Sequence, residues 1–224
     1  MQHQITGLGR KRMRRKIPLI ALAAASCLSG LAVSAPAASA APLRVPAMRN
    51  DFMAVVAASA LSDLQTFQST SDHEARDRFV STRDALAASI ATRLGIDPTR
   101  MKNAWSDANM PHQTALLAAL SQLGVPYRRN MSAPGAGFDC SGLTAYAWSV
   151  AGQDIPHQSR TQINAAGSRN AYTAQAGDTV YYPGHVMMYL GVDLAIVHAP
   201  NSGRTIEVGF APARRGVRFG NPMG

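Results

Sequence analysis

The sequence predicts an α+β protein, with helices first and an antiparallel sheet after them, and three observations carry that reading. Between Arg49 and Asn109 apolar residues recur at spacings of three and four, the period of a helix. From Thr179 onward four short β-like runs, 179–182, 186–190, 195–198 and 205–210, are separated by Pro, Gly or Asp. Between the two halves Cys140 follows Pro134, Gly135 and Gly137 and opens an apolar run, Leu143, Tyr146, Ala147 and Val150, that ends at Gly152. Helices followed by a meander give a layered α+β domain.

The first forty residues read as a leader rather than as part of that fold. Arg10 to Lys16 form a basic head, Ile17 to Val33 an apolar run, and Ala38-Ser39-Ala40 a small-residue cleavage site, which together describe a secretory signal peptide. The run is short and broken by Pro18, Ser26, Ser29 and Gly30, so no stable membrane insertion is expected once it is removed. Cleavage at Cys27 instead, leaving a lipid-anchored cysteine, is the alternative, and Arg14-Arg15 leaves the export route open. Six of the 22 basic residues and none of the 13 acidic ones lie in the leader, so the net charge falls from +9 to +3 on its removal. That balance suits an anionic wall and is no nucleic-acid signature. A secreted, wall-associated monomer is the expectation.

Residues 41–49 read as a linker and 50–110 as a helical segment. Phe52, Val56, Ala60, Leu64 and Phe67 share one face, Ser71-Asp72-His73-Glu74 has the form of a capping box, and Phe79, Leu86, Ile90 and Leu94 continue the stripe to Gly95. Asp97-Pro98 restarts a short helix as cap and first turn. Two long helices and one short one have too little core to stand alone, so they are expected to pack on the domain C-terminal to them. Trp105 reads as a core anchor and His73 as a solvated helix residue. No metal-ligand spacing occurs, and no cofactor is expected.

Met110-Pro111 marks the boundary of a second region, 111–224. A helix is expected over 114–123 with Leu116, Leu117, Leu120 and Leu123 on its apolar face, then a loop rich in Gly, Pro and Ser, the Cys140 helix, and a short helix over 157–166. With the leader discounted, Cys140 is the only cysteine, so it cannot form an internal disulfide. At a helix N-terminus the unpaired N–H groups and the dipole favour a thiolate, whereas a small buried residue capping a core helix is the inert reading. His185 and His198 each sit at the end of a β-like run, thirteen positions apart. A thiol, an imidazole base and a second polar residue to orient that base make a nucleophilic set.

Four blocks in order carry a resemblance: Gly124-Val125-Pro126-Tyr127, Asp139-Cys140-Ser141-Gly142-Leu143, Ala176-Gly177-Asp178 leading into His185-Val186, and His198-Ala199-Pro200. The chain resembles the NlpC-type (NlpC/p60-like) cell-wall cysteine peptidases, a bacterial family with a papain-like core, over roughly residues 112–224. The resemblance implies Cys140 as nucleophile, His185 as base and His198 as its orienting partner. It places Tyr127 near the nucleophile, and Asp139 and Ser141 where the charged end of a substrate peptide is met, although both also suit helix capping. His157, Ser159 and Arg160 fall where relatives line the groove, and His157 stays a rival base. Relatives have an aromatic residue and two glycines after the tyrosine. Here Arg128-Arg129-Asn130 stand instead, which leaves the turn beside the groove open.

The function so implied is hydrolysis of amide bonds in peptidoglycan stem peptides through an acyl-enzyme, with the D-glutamyl to diamino-acid link as the family's commonest target. A wall-binding scaffold without turnover, or an amidase, acyltransferase or toxin on the same fold, are the alternatives.

Overall fold

A computed structural model describes residues 51–213 and 216–224; the leader and the linker expected over 1–49 lie outside them. The chain opens with α1 (Phe52–Thr70), α2 (His73–Leu94), α3 (Pro98–Asp107) and α4 (Met110–Leu120). Each has a side-chain N-cap: Asp51, Asp72, Asp97 and Asn109 accept from backbone N–H groups of the first turn. The cap of α2 is Asp72, not Ser71 as the capping-box reading implied. Ser71 ends α1 in the left-handed region at φ 59°, and a helix cannot begin from that conformation.

Two further sequence expectations shift. The face of α1 that packs inward is Ala54, Ala57, Ala60, Leu61 and Leu64, and Phe52 is 80% exposed. Small residues let α1 and α2 approach closely, so the contact stripe follows alanines that a search for large side chains passes over. Met110-Pro111 forms the first turn of α4, and residues 112–120 of that helix are buried all round. An apolar helix with no polar face is a central one. One core cluster runs from Ala54 in α1 through Trp105 and Leu117 to Phe138, Met188 and Ile206. The Trp105 indole N–H also donates to the Leu190 carbonyl at 3.0 Å, which ties α3 to the sheet.

After α4 a two-stranded hairpin, β1 (Ser132–Ala133) and β2 (Gly137–Phe138), delivers the chain to α5 (Cys140–Val150). Then come α6 (Ser159–Ala165) and six strands: β3 (Gly167–Arg169), β4 (Thr179–Tyr182), β5 (His185–Tyr189), β6 (Ala195–His198), β7 (Glu207–Phe210) and β8 (Arg218–Asn221). They form one antiparallel sheet in the order β3-β8-β4-β5-β6-β7. The middle strands, β4 and β5, are buried along their length apart from Tyr182, as strands covered on both faces should be. The fold is α+β, helices packed on an antiparallel sheet and preceded by the helical segment.

Candidate active site

Cys140 is the first residue of α5 and is half-buried. Asp139 holds that helix end in place. Its Oδ1 accepts from the Gly142 N–H at 2.7 Å and from the Ser141 hydroxyl at 3.1 Å, and its Oδ2 from the Asn130 N–H at 2.8 Å. The same Oδ1 lies 2.9 Å from His157 Nε2. Burial opposes the Asp139 charge, but the His157 contact and the Gly142 N–H outweigh it and hold the carboxyl below its ordinary value. Gln162 adds a second brace from α6: its amide donates to the carbonyls of Ser141 at 2.9 Å and Pro156 at 2.7 Å and accepts from the Thr144 hydroxyl.

The thiol itself is pushed above its ordinary value, chiefly by burial, with the Asp139 carboxylate adding to that. Backbone N–H groups of Val186, Ser141 and Cys140 oppose that rise and favour the anion. The helix N-terminus therefore acts on the sulfur as the sequence suggests, yet desolvation wins in the resting protein. α5 packs on β5, which puts the thiol beside the start of that strand, where Val186 follows His185. Cys140 also packs on Ile163, Tyr181 and Val186.

His185 opens β5 and His198 closes β6. His185 Nε2 lies 2.9 Å from His198 Nδ1, with the ring centroids 5.1 Å apart and the planes at 79°. His198 Nε2 faces Glu207 Oε1 at 3.5 Å; the two residues are register partners across β6 and β7. Arg204 pairs with the same carboxylate. Burial, aided by the positive charge of Arg204, pushes His198 down to about 4. At neutral pH His198 is thus uncharged and carries one ring proton. A carboxylate beside Nε2 favours the proton there, which makes Nδ1 an acceptor for the His185 Nε2–H. Proton exchange with a thiol then falls to the other nitrogen of His185.

Tyr127 stands on the far side of the nucleophile, its N–H donating to the Arg204 carbonyl at 2.9 Å. Burial and the neighbouring Cys140 and Asp139 raise its phenol above the ordinary value. Asn130 resolves the turn that the missing glycines left open. It sits at φ 56°, in the left-handed region that asparagine tolerates better than most residues, and its N–H caps Asp139. Arg128 and Arg129 are exposed.

The structure thus brings Cys140, Tyr127, His185 and His198 to one place and puts Asp139 and Ser141 beneath the nucleophile as buried bracing. His157 is held by Asp139 rather than paired with His185 or His198. Ser159 begins α6, and Arg160 is exposed next to it. Glu207, Arg204 and Gln162 went unnoticed in the sequence. The signal for Glu207 was there, one carboxylate at strand spacing opposite His198, between Ile206 and Val208.

A model of the NlpC/P60 family matches residues 124–211. A probable endopeptidase of Corynebacterium glutamicum (strain R) is 35% identical over 150 residues, which cover 64% of this chain and 70% of that protein. The chain belongs to the NlpC/P60 family. Two further members match it over a smaller part of their length. The peptidoglycan endopeptidase RipA of Mycobacterium tuberculosis is 33% identical over 42% of this chain and 23% of its own length. The bifunctional muramidase/DL-endopeptidase CwlT of Bacillus subtilis is 34% identical over 36% of this chain and 27% of its own. The NlpC/P60 match takes in Tyr127, Cys140, His185, His198 and Glu207, and leaves α1 to α4 outside it.

Proposed function

We propose that this NlpC/P60 protein is an exported cysteine endopeptidase that hydrolyses amide bonds in peptidoglycan stem peptides. The observation that carries the mechanism is the ordered contact of His185 Nε2 with His198 Nδ1 at 2.9 Å, where β5 starts and β6 ends near a thiol at a helix N-terminus. His185 takes the thiol proton as the sulfur attacks the substrate carbonyl, and returns it to the leaving amine when the tetrahedral adduct collapses. A half-buried thiol held above its ordinary value suits transfer of the proton together with attack. The same imidazole then takes a proton from water, whose oxygen attacks the acyl-enzyme and frees the thiol. The Cys140 backbone N–H and the Tyr127 hydroxyl are the donors nearest to the developing oxyanion. His198 keeps the His185 ring in the required tautomer.

Support for the substrate comes from the relatives, one named a peptidoglycan endopeptidase and another a DL-endopeptidase. We extend this to the D-glutamyl to diamino-acid bond. Export rests on the basic-then-apolar leader of residues 1–40. Digestion of purified peptidoglycan, with products identified by mass, tests the whole reading. Wild type is expected to release fragments cut at that bond and Cys140→Ala none. Equal products from the two proteins would refute it, and a different cut would refute the bond alone.

A further inference from the structure

A cavity of about 340 Å³ lies between α6 and the β4–β8 side of the sheet, lined by Arg160, Asn164, Tyr181, Pro183, Gly216 and Arg218. Two of these side chains are guanidinium groups and none is a carboxylate. Arg218 donates one N–H to Asn164 Oδ1 at 3.0 Å, and neither arginine is ion-paired among the described residues. Tyr181, 7% exposed, also lines the cavity. Two guanidinium-bearing side chains therefore line one concave site that has no acidic lining residue. Left empty of an anion, two such cations repel each other; a planar carboxylate matches their donor geometry.

The sheet ties this cavity to the nucleophile. Arg218, Tyr181 and Val186 are consecutive register partners across β8, β4 and β5, so their side chains share one face. Tyr181 and Val186 belong, with Ile163, to the buried cluster against which Cys140 packs. With strands about 4.8 Å apart, Arg218 stands roughly 10 Å from β5, the strand against which Cys140 packs. An extended peptide covers that distance in about three residues.

We infer that this cavity is a specificity subsite for a free carboxylate on the peptide substrate, placed two to three residue lengths from the scissile bond. The inference rests on the proposed peptide substrate. A stem peptide whose carboxylate is amidated keeps the shape of the acid but loses the charge and the matched acceptor pair, so it docks poorly here. A phosphate group on a wall polymer is the other anion that would fit two guanidinium groups. The reach from the thiol favours the substrate's own carboxylate.

The test uses Cys140→Ala protein, which binds without turnover, and synthetic stem peptides that differ only in amidation of one carboxylate at a time. Calorimetric titration is expected to show one position at which the acid binds about 10- to 100-fold more tightly than the amide, the loss of charge-assisted hydrogen bonds. Adding Arg160→Gln or Arg218→Gln should bring that ratio to about two or less. Arg160 is exposed, so its variant carries the test if Arg218→Gln does not fold. The inference is overturned by equal affinity for acid and amide at every position, by a ratio that survives both arginine variants, or by no binding of either peptide. Competition by inorganic phosphate without any effect of amidation overturns it in favour of a polymer phosphate. Turnover of the acid peptide by wild type, measured alongside, addresses the hydrolase reading separately. A retained ratio without turnover sinks that reading and leaves the subsite standing; turnover without a ratio does the reverse.

Discussion

His112 and His198 are both imidazoles set into the core beside a carboxylate, and they have been given opposite freedoms. His112 is fully buried, with Nδ1 2.7 Å from Asn109 Oδ1 and Nε2 3.0 Å from Asp178 Oδ1. Its ring stands edge-on to Trp148 at 4.8 Å, and the second Asp178 oxygen takes the Gln175 N–H at 2.9 Å. Gly177, at φ 96°, lies against it so closely that a Cβ there would sit 2.8 Å from the His112 carbonyl oxygen. Both ring nitrogens end on fixed acceptors, so this histidine clamps α4 to the segment leading into β4. His198 instead meets another imidazole on one side and a partly exposed Glu207 on the other. A proton between two imidazoles has somewhere to go; a proton between an amide and a sealed carboxylate does not. What surrounds the ring, rather than burial alone, separates the clamp from the relay.

The sharpest way to break that contrast is in the rates. His185→Ala is expected to lower turnover of a stem peptide nearly as far as Cys140→Ala does, by at least about 10⁴-fold, because the base acts in both half-reactions. His198→Ala should lose about 10²- to 10⁴-fold, with part recovered in His198→Asn or Gln, which still accept from the base's N–H. The His185/His198 double variant should be little worse than His185→Ala alone, and initial rates for these proteins decide it. Full activity in His198→Ala would dissolve the relay.

His112→Ala should act on stability instead. It leaves Asp178 buried without its partner, a loss of about 3–5 kcal/mol in denaturant unfolding, whereas Asp178→Asn, which can still accept, should cost less. Stability unchanged in His112→Ala would mean that the clamp is idle.

The pH dependence of stability tests the environment of His198. His198 is depressed to about 4 in the folded protein from an ordinary 6.5, so the unfolded chain binds the extra proton between those values. Its contribution is complete above about pH 6.5 and lost as pH falls toward 4, on the order of 3 kcal/mol. Urea midpoints at pH 4 and 7 should converge in His198→Gln relative to wild type. The smallest effect is expected from Glu207→Gln, about tenfold in kcat with KM little changed, since it weakens only the preference for one His198 tautomer. A loss as large as that of His198→Ala would place Glu207 nearer the chemistry than its 3.5 Å contact implies.

Much of this was legible in residues whose chemistry is local. Asp97-Pro98 announced α3, a lone cysteine after glycines announced the start of α5, and the order of four blocks led to the family. What stayed hidden depends on partners distant in the chain. His112 and Asp178 are 66 positions apart, and nothing near either one marks the pair. The strands β3 and β8 were missed because Gly167–Arg169 and Arg218–Asn221 have little apolar alternation; they are strands because they pair with each other and β8 pairs with β4. Asn130 shows the converse, a departure from the family's glycines that the backbone absorbs through a residue able to take the same left-handed turn.

The core shared by α1 to α4 and the sheet has a consequence for how this enzyme can be cut down. Residues 112–120 of α4 are sealed partly by α1, and Leu190 gives its carbonyl to Trp105 of α3. A shortened chain beginning at Met110 would keep every residue of the site and yet bare the part of buried, leucine-rich α4 that packs on α1, the kind of surface that self-associates. Such a chain would come out as oligomer or precipitate unless that face were rewritten with polar side chains. The helical segment therefore covers part of the core beneath the site, and any attempt to graft the site elsewhere has to carry that cover or replace it.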